Sequence, residues 1–367
     1  MLSVFENNSA MRWLGKQLFN REDPAAFFDP ILSIINPMMV RGLTPARVEA
    51  ITHAARDTKT FHLKPSPRWS GFRAGQHINI NVEIDGVRCH RTFSLSSAPA
   101  QWEQDGTITL TIKRLPGGKV TNWLHDRLET GTVVGISEAF GEFDIPNVEQ
   151  PLLYLAGGSG VTPVLSHLVT LADQDYRAPV TVLYYVRTQA DEIGAETLRA
   201  LQARWPALTL VIHRTDEDGP SALMNEAHLE QVPGIKARHC FLCGPPGLMD
   251  LAQDLLGRFG IREEQISATF FTAPTPVEVS EPLGGEVRFA GSDVTVESEG
   301  DAPLLEIAEA AKLNPKHGCR MGICHQCSCR KTSGTVVNRL TGKASGPGEE
   351  TIQLCISVPQ GDVEVDV

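Results

Sequence analysis

The chain has 367 residues, 41% of them hydrophobic and 21% charged, with a formal charge of −11. That length supports two to four domains with separate cores, and the acidic balance excludes a general affinity for nucleic acid. No apolar run approaches the roughly 18 residues of a membrane span, and the opening MLSVFENNSAMRW lacks a secretory signal. The expected location is therefore cytoplasmic, which suits reduced cysteines.

Residues 1–43 read as an amphipathic extension. Trp13, Leu14, Leu18 and Phe19, then Phe27, Phe28, Ile31, Leu32 and Ile35, recur at helical spacing in pieces broken by Pro24, Pro30 and Pro37. The expectation is a strap packed on the body of the protein. A helix lying against a membrane or a membrane-bound partner is the alternative.

From Arg47 to about Pro146 the pattern changes to six short runs with strand character, starting at Val48, Thr60, His77, Arg91, Thr107 and Val133. Six such strands predict an antiparallel β-barrel. Two stretches in it have chemical character. Arg91-Thr92-Phe93-Ser94 sets a cation, a ring and a hydroxyl along one strand, with Arg91 and Phe93 on the same face. Leu115-Pro-Gly117-Gly118-Lys-Val-Thr121 is a glycine turn entering a helix, whose free N–H groups suit a phosphate. A barrel edge strand followed by a turn would also explain both.

From Pro151 to about Phe271 strands and helices alternate, which predicts an α/β doubly wound parallel sheet. The first strand runs into Gly157-Gly158-Ser-Gly160-Val-Thr162-Pro163 and then an apolar-periodic helix. A glycine-rich loop at a helix N-terminus is a seat for a diphosphate, although Pro163 stands where a dinucleotide fingerprint would have its third glycine. Residues 273–285, rich in proline and closing on Gly-Gly, read as a linker. A hairpin, a helix opening on Pro303 and a last strand near Glu364 follow. His77, His90 and His167 read as structural.

The C-terminal part contains HGCRMGICHQCSCRK. Cys319, Cys324 and Cys327 stand at C-x4-C-x2-C, and Cys355 follows after 27 intervening residues. This is the plant-type spacing for a [2Fe–2S] cluster, in which four thiolates hold two irons. Zinc sites pair their ligands as two knuckles, which fits this spacing poorly. Cysteines this crowded also argue against disulfides. Cys329 is surplus and reads as apolar filler under the loop, with exchange for Cys327 as the alternative. His317 and His325 flank the site but are not needed as ligands. Lys312, Lys316, Arg320, Arg330 and Lys331 surround it; solvation of the loop explains them, and a docking rim for an acidic partner is the alternative.

Together these parts resemble the ferredoxin–NADP reductase superfamily fused to a C-terminal plant-type ferredoxin, over roughly residues 47–367. The resemblance implies a flavin-binding barrel at 44–148, an NAD(P)-binding domain at 149–272, the linker, and an α+β, β-grasp-like ferredoxin domain at 286–367. It further implies that Arg91 pairs with a flavin phosphate, Phe93 stacks on the isoalloxazine and Ser94 lies near N5, with Thr92 between them. Phenylalanine stands where the family's R-x-Y-S motif has tyrosine. Gly117, Gly118 and Thr121 match the turn at the flavin diphosphate, which favours FAD over FMN. Gly157, Gly158, Gly160, Thr162 and Pro163 match the nicotinamide-nucleotide loop. Cys243, Gly244 and Pro245 match the C-G-P motif beside the nicotinamide, and Phe271 sits where relatives close the flavin face.

The same resemblance makes Ser94, Cys243 and Phe271 the residues nearest the chemistry. A nicotinamide gives two electrons as a hydride, whereas a cluster takes one at a time; a flavin can do both. Arg187 and Arg214 are candidates for a 2′-phosphate, so NADPH is expected over NADH, with Asp216, Glu217 and Asp218 speaking against it. The expected partner is a one-electron acceptor of oxygenase type, and the N-terminal strap points to a membrane di-iron fatty-acyl desaturase or hydroxylase. A soluble Rieske oxygenase or a hybrid-cluster protein is the alternative acceptor. A [2Fe–2S] redox sensor is the alternative of another class.

Overall fold

A computed structural model describes residues 38, 43–85, 87–271, 283–317, 320, 322 and 327–367. Nearly all of the amphipathic extension, most of the linker, and Cys319, Cys324 and His325 lie outside the described residues. The chain divides into two compact units, Met1–Ala139 and Phe140–Val367.

In the first unit, alternating apolar residues build six strands: β1 (Thr44–Ala55), β2 (Thr58–Pro65), β3 (His77–Ile84), β4 (Val87–Ser94), β5 (Ile108–Lys113) and β6 (Val133–Ile136). They lie in the order β4-β3-β6-β1-β2-β5, each pair antiparallel. The two edges then meet. Leu95, just past β4, bridges Leu110 of β5, and Ser96 N–H donates to the Thr109 carbonyl at 2.9 Å. This closes the sheet into a barrel and removes its edges. Phe61, Leu63, Ile78, Ile80, Leu95, Ile108 and Leu110 fill it, all at 0% exposure. Two helices interrupt the strands: α1 (Pro99–Asp105) before β5 and α2 (Lys119–Arg127) before β6.

The second unit begins with β7 (Leu152–Gly157), β8 (Val180–Val186), β9 (Leu208–Arg214), β10 (His239–Gly244) and β11 (Ile266–Phe270), all parallel, in the order β11-β10-β7-β8-β9. Helices α3 (Val161–Asp173), α4 (Ala195–Arg204), α5 (Glu226–Glu230) and α6 (Pro246–Arg258) connect them. Every residue of β7 and β8 is buried, as expected for strands covered on both faces. The strand order reverses between β7 and β10, so a crevice opens at their C-terminal ends. His167 is structural, as expected: it is fully buried, its Nε2 faces the Phe143 carbonyl at 2.9 Å and its Nδ1 faces the Tyr154 hydroxyl at 3.2 Å.

A second, mixed sheet completes this unit: β12 (Gly285–Phe289), β13 (Val294–Ser298), β14 (Ser328–Asn338), β15 (Glu350–Gln353) and β16 (Ser357–Val365). Its order is β13-β12-β16-β14-β15, with β12 and β16 parallel and the other pairs antiparallel. Helix α7 (Leu304–Ala310) starts after Pro303 and packs Leu304, Leu305 and Ala308 against Val287, Phe289, Ile356 and Val363. This is the β-grasp-like arrangement. One expectation is corrected here. Lys331 is no part of a surface rim, because its side chain is 0% exposed. Strand β14 is paired on both sides, and the glycine-rich loop before β15 folds over it. The ammonium donates to the carbonyls of Gly334 at 2.9 Å and Gly346 at 3.0 Å, and to that of Gly348.

Candidate functional site

On β4, Arg91 is exposed, Phe93 is half-buried against the barrel core, and Ser94 is buried at 6% exposure. By the two-residue repeat of a strand, Arg91 and Phe93 share one face, and Thr92 and Ser94 the other. Arg91 Nη1 donates to the carbonyl of His90 at 2.8 Å, and the Thr92 hydroxyl donates to Asn79 Oδ1 on β3 at 2.7 Å, which pins the strand. A half-exposed ring with a cation on the same face suits a planar, phosphate-bearing cofactor.

The turn before α2 is held by Thr121. Its hydroxyl accepts the Leu115 N–H at 3.3 Å and donates to the Gly118 carbonyl at 3.4 Å. Thr121 therefore shapes the turn, and the helix it opens has no side-chain cap at its N-terminus.

In the second unit the crevice between β7 and β10 is built from close backbone contact. A Cβ added to Gly160 would run into the carbonyl of Cys243, so only glycine fits. The Thr162 hydroxyl donates to the Ser159 carbonyl at 3.0 Å, and the Val161 N–H donates to the carbonyls of Gly158 and Ser159. The loop's carbonyls are thus spent inward, while Gly158 and Ser159 remain partly exposed at the start of α3. Pro163 is buried in the first turn of that helix, where its missing N–H costs nothing. Gly244 and Pro245 lead into α6 beside this loop. Cys243 is fully buried, and burial pushes its thiol well above the usual range, so it stays protonated. Phe271, just past β11, is 39% exposed.

The two arginines proposed for a 2′-phosphate have different environments. Arg187 is largely exposed, and its Nε donates to Asp216 Oδ2 at 3.0 Å. Arg214 is held at 2.7 Å by Glu192, whose carboxylate is buried and also pairs with Arg199. Arg214 is thus already committed to a partner. Tyr184 was not singled out from sequence, because a tyrosine inside an apolar strand reads as core. Its hydroxyl nevertheless reaches the glycine loop, donating to the Gly158 carbonyl at 3.1 Å.

The cysteine site is placed in half. Cys327 precedes β14 and Cys355 follows β15; the pairing of Ser328 with Gln353 and of Cys329 with Ile352 brings their ends together. Both are buried, no disulfide joins them, and their sulfurs lie 3.3 Å apart. That is far beyond a disulfide bond of about 2.05 Å. It is near the roughly 3.8 Å separating two thiolates on one tetrahedral metal with bonds of about 2.3 Å. The donor pair fits a thiolate-ligated metal centre. Gly322 has φ +73°, and a side chain there would meet Ile356 and Leu340. Cys329 packs partly buried against the core, and burial pushes its thiol up to about 12, as suits a filler.

Comparison with known proteins agrees with this architecture. Residues 45–145 match the oxidoreductase FAD-binding domain, 154–254 the oxidoreductase NAD-binding domain, and 287–360 the 2Fe-2S iron-sulfur cluster binding domain. An NADPH oxidoreductase of Mycobacterium tuberculosis is 30% identical over 341 residues, covering 92% of this chain and 88% of that protein. The glycine betaine monooxygenase reductase subunit of Pseudomonas aeruginosa is 31% identical, covering 84% and 91%.

Among solved structures, phthalate dioxygenase reductase aligns with a TM-score of 0.59 at 23% identity, over 89% of this chain and 98% of that one. An intact type IV self-sufficient cytochrome P450 monooxygenase aligns at 0.74 and 18% identity; the chain spans only 41% of its length. At these identities the two structures speak for the fold. With all three domains matched in order and a relative of this identity aligned across most of its length, the chain belongs to the ferredoxin–NADP reductase-type oxidoreductases that carry FAD- and NAD-binding domains and a C-terminal [2Fe–2S] domain.

Proposed function

We propose that this oxidoreductase is the reductase component of an oxygenase system, taking electrons from NAD(P)H and delivering them singly to a partner protein. The observation that carries the reading is the buried Cys327–Cys355 pair, in the same chain as a nucleotide crevice and a flavin-type strand. When bound, FAD accepts a hydride's two electrons and the cluster passes electrons on one at a time. The protein's own residues bind, orient and shield. Arg91 offers a cation to a phosphate, Phe93 a ring face, and Ser94 a buried hydroxyl. The Gly157–Pro163 loop receives the dinucleotide. The buried Cys243 thiol stays protonated and adds no charge beside the loop. Cys319, Cys324, Cys327 and Cys355 hold the cluster.

Within this class we infer a membrane di-iron fatty-acyl desaturase or hydroxylase as acceptor, on the strength of the amphipathic first 43 residues. A soluble monooxygenase is the second reading, favoured by the relative that serves glycine betaine monooxygenase. Reconstitution decides between them. Purified full-length protein is mixed with NADPH or NADH and either desaturase-containing membranes or a soluble Rieske monooxygenase, and substrate oxidation per nucleotide consumed is measured. Efficient coupling to the membranes that is lost on deleting residues 1–43 supports the first reading. Equal coupling without them overturns it.

A further inference from the structure

We propose that Tyr184 is a positioning residue for the nicotinamide dinucleotide: its hydroxyl ties the diphosphate loop to the segment after β8, so the two halves of the ligand meet one preset surface. The inference rests on the reading of the Gly157–Pro163 loop as the nucleotide site. Tyr184 is 0% exposed and lies near the C-terminal end of β8. Its Oη donates to the carbonyl of Gly158 at 3.1 Å and accepts the N–H of Ile193 at 3.1 Å. The roles are unambiguous: the Ile193 amide can only donate and the Gly158 carbonyl can only accept. Burial also pushes the hydroxyl well above the usual tyrosine range, so the proton it donates is always present.

The Gly158 end bears on the diphosphate. This glycine has φ +51°, and its carbonyl also accepts the Val161 N–H. Two donors aimed at one carbonyl hold it inward, which leaves the opposite face of the loop for a ligand. The Ile193 end bears on the other half. Ile193 closes the segment that begins with Arg187, whose guanidinium stands exposed beside Asp216. Within that segment the Thr188 hydroxyl donates to Asp191 at 2.7 Å, and the buried Glu192 clamps Arg199 and Arg214. One hydroxyl therefore joins two otherwise separate chain segments, the glycine loop and the segment that begins with Arg187. A phenylalanine would fill the same space and leave both backbone groups without it.

The test uses the full-length holoprotein with ferricyanide as acceptor, and compares Tyr184→Phe with Tyr154→Phe and Ser159→Glu. Tyr154 is a control: it is also fully buried in this sheet, and its hydroxyl faces His167 away from the loop. Tyr184→Phe is expected to raise KM for NAD(P)H and the inhibition constant of ADP about five- to twentyfold, with kcat within about twofold. Tyr154→Phe is expected to lower Tm comparably while leaving both constants unchanged. An unchanged KM in Tyr184→Phe, or an equal rise in Tyr154→Phe, would overturn the proposal. Ser159→Glu separates this from failure of the site itself. A carboxylate on the loop repels a diphosphate and raises KM; if it does not, the assignment of the loop is wrong, and the role of Tyr184 falls with it.

Discussion

Arg187 and Asp216 form an ion pair across the ends of β8 and β9, with Nε and Oδ2 3.0 Å apart and the rest of the guanidinium exposed. The pair explains how one arginine could serve a 2′-phosphate without standing as a lone charge: the carboxylate orients the fork and the remaining N–H groups face outward. It also sets a limit, because Asp216 would repel the phosphate that Arg187 attracts.

Nucleotide selectivity should therefore move in opposite directions at the two positions. Asp216→Asn is expected to raise the NADPH/NADH ratio of kcat/KM by roughly tenfold, or about 1.4 kcal/mol. Arg187→Ala is expected to lower it by a similar factor. A preference for NADH that is indifferent to both changes would rule out a 2′-phosphate site here. Because Glu192 already holds Arg214, changing Arg214 should affect stability before selectivity.

The buried thiol pair gives a second prediction. Cys355→Ser should leave NAD(P)H-driven ferricyanide reduction near the parental rate, while iron content and reduction of cytochrome c fall by on the order of tenfold or more. Loss of both activities together would argue against successive electron carriers. Iron analysis and visible absorbance check that the variant has lost its cluster and kept its flavin.

Lys331 is expected to be a stability determinant. Lys331→Met keeps much of the volume but leaves the carbonyls of Gly334, Gly346 and Gly348 without their shared donor. The cost should be about 2–4 kcal/mol in the C-terminal β-grasp domain, read by chemical denaturation. A surface lysine would cost within about 0.5 kcal/mol.

Acid should weaken the nucleotide-binding domain through His213. Burial, aided by the neighbouring His228 and opposed by Asp218, holds this histidine down to about 4. Its ring stacks on His228 with centroids 3.9 Å apart and on Tyr185 at 4.9 Å. The unfolded chain, with a histidine near its usual value of about 6.5, binds more protons between the two values. Stability therefore rises with pH across that window and is lost on acidification from about 6.5 toward 4. Allowing for solvent screening of a half-buried ring, the change should be about 1–2 kcal/mol. His213→Gln should flatten the dependence, as measured by urea midpoints at pH 7 and 5.

Much of this was legible in the sequence because it is local. The run of β7 into Gly157–Pro163 shows both a buried strand and a glycine-rich turn entering a helix, and the barrel strands carry a two-residue repeat. What escaped depends on distant partners. Strand β14, SCRKTSGTVVN, mixes polar residues with Gly334 and lacks clean alternation; it is a strand because β15 and β16 pair with it on both sides. Lys331 read as a surface cation, since its acceptors Gly346 and Gly348 lie 15 and 17 residues on and announce nothing locally. Helix α1 is a different kind of miss. Pro99 stands at its start and a left-handed Gly106 closes it, but seven residues are too short to show a period.

The contact between Gly160 and the Cys243 carbonyl couples two positions that share one crevice. The backbone at 243 is the wall against which the loop is built, so residue 160 admits no change without moving both. The thiol at 243 is itself fully buried, so a larger side chain there must displace the core around it. Positions 160 and 243 are therefore constrained together, one through the room it lacks and the other through the packing it fills, and neither is open to design or to drift alone.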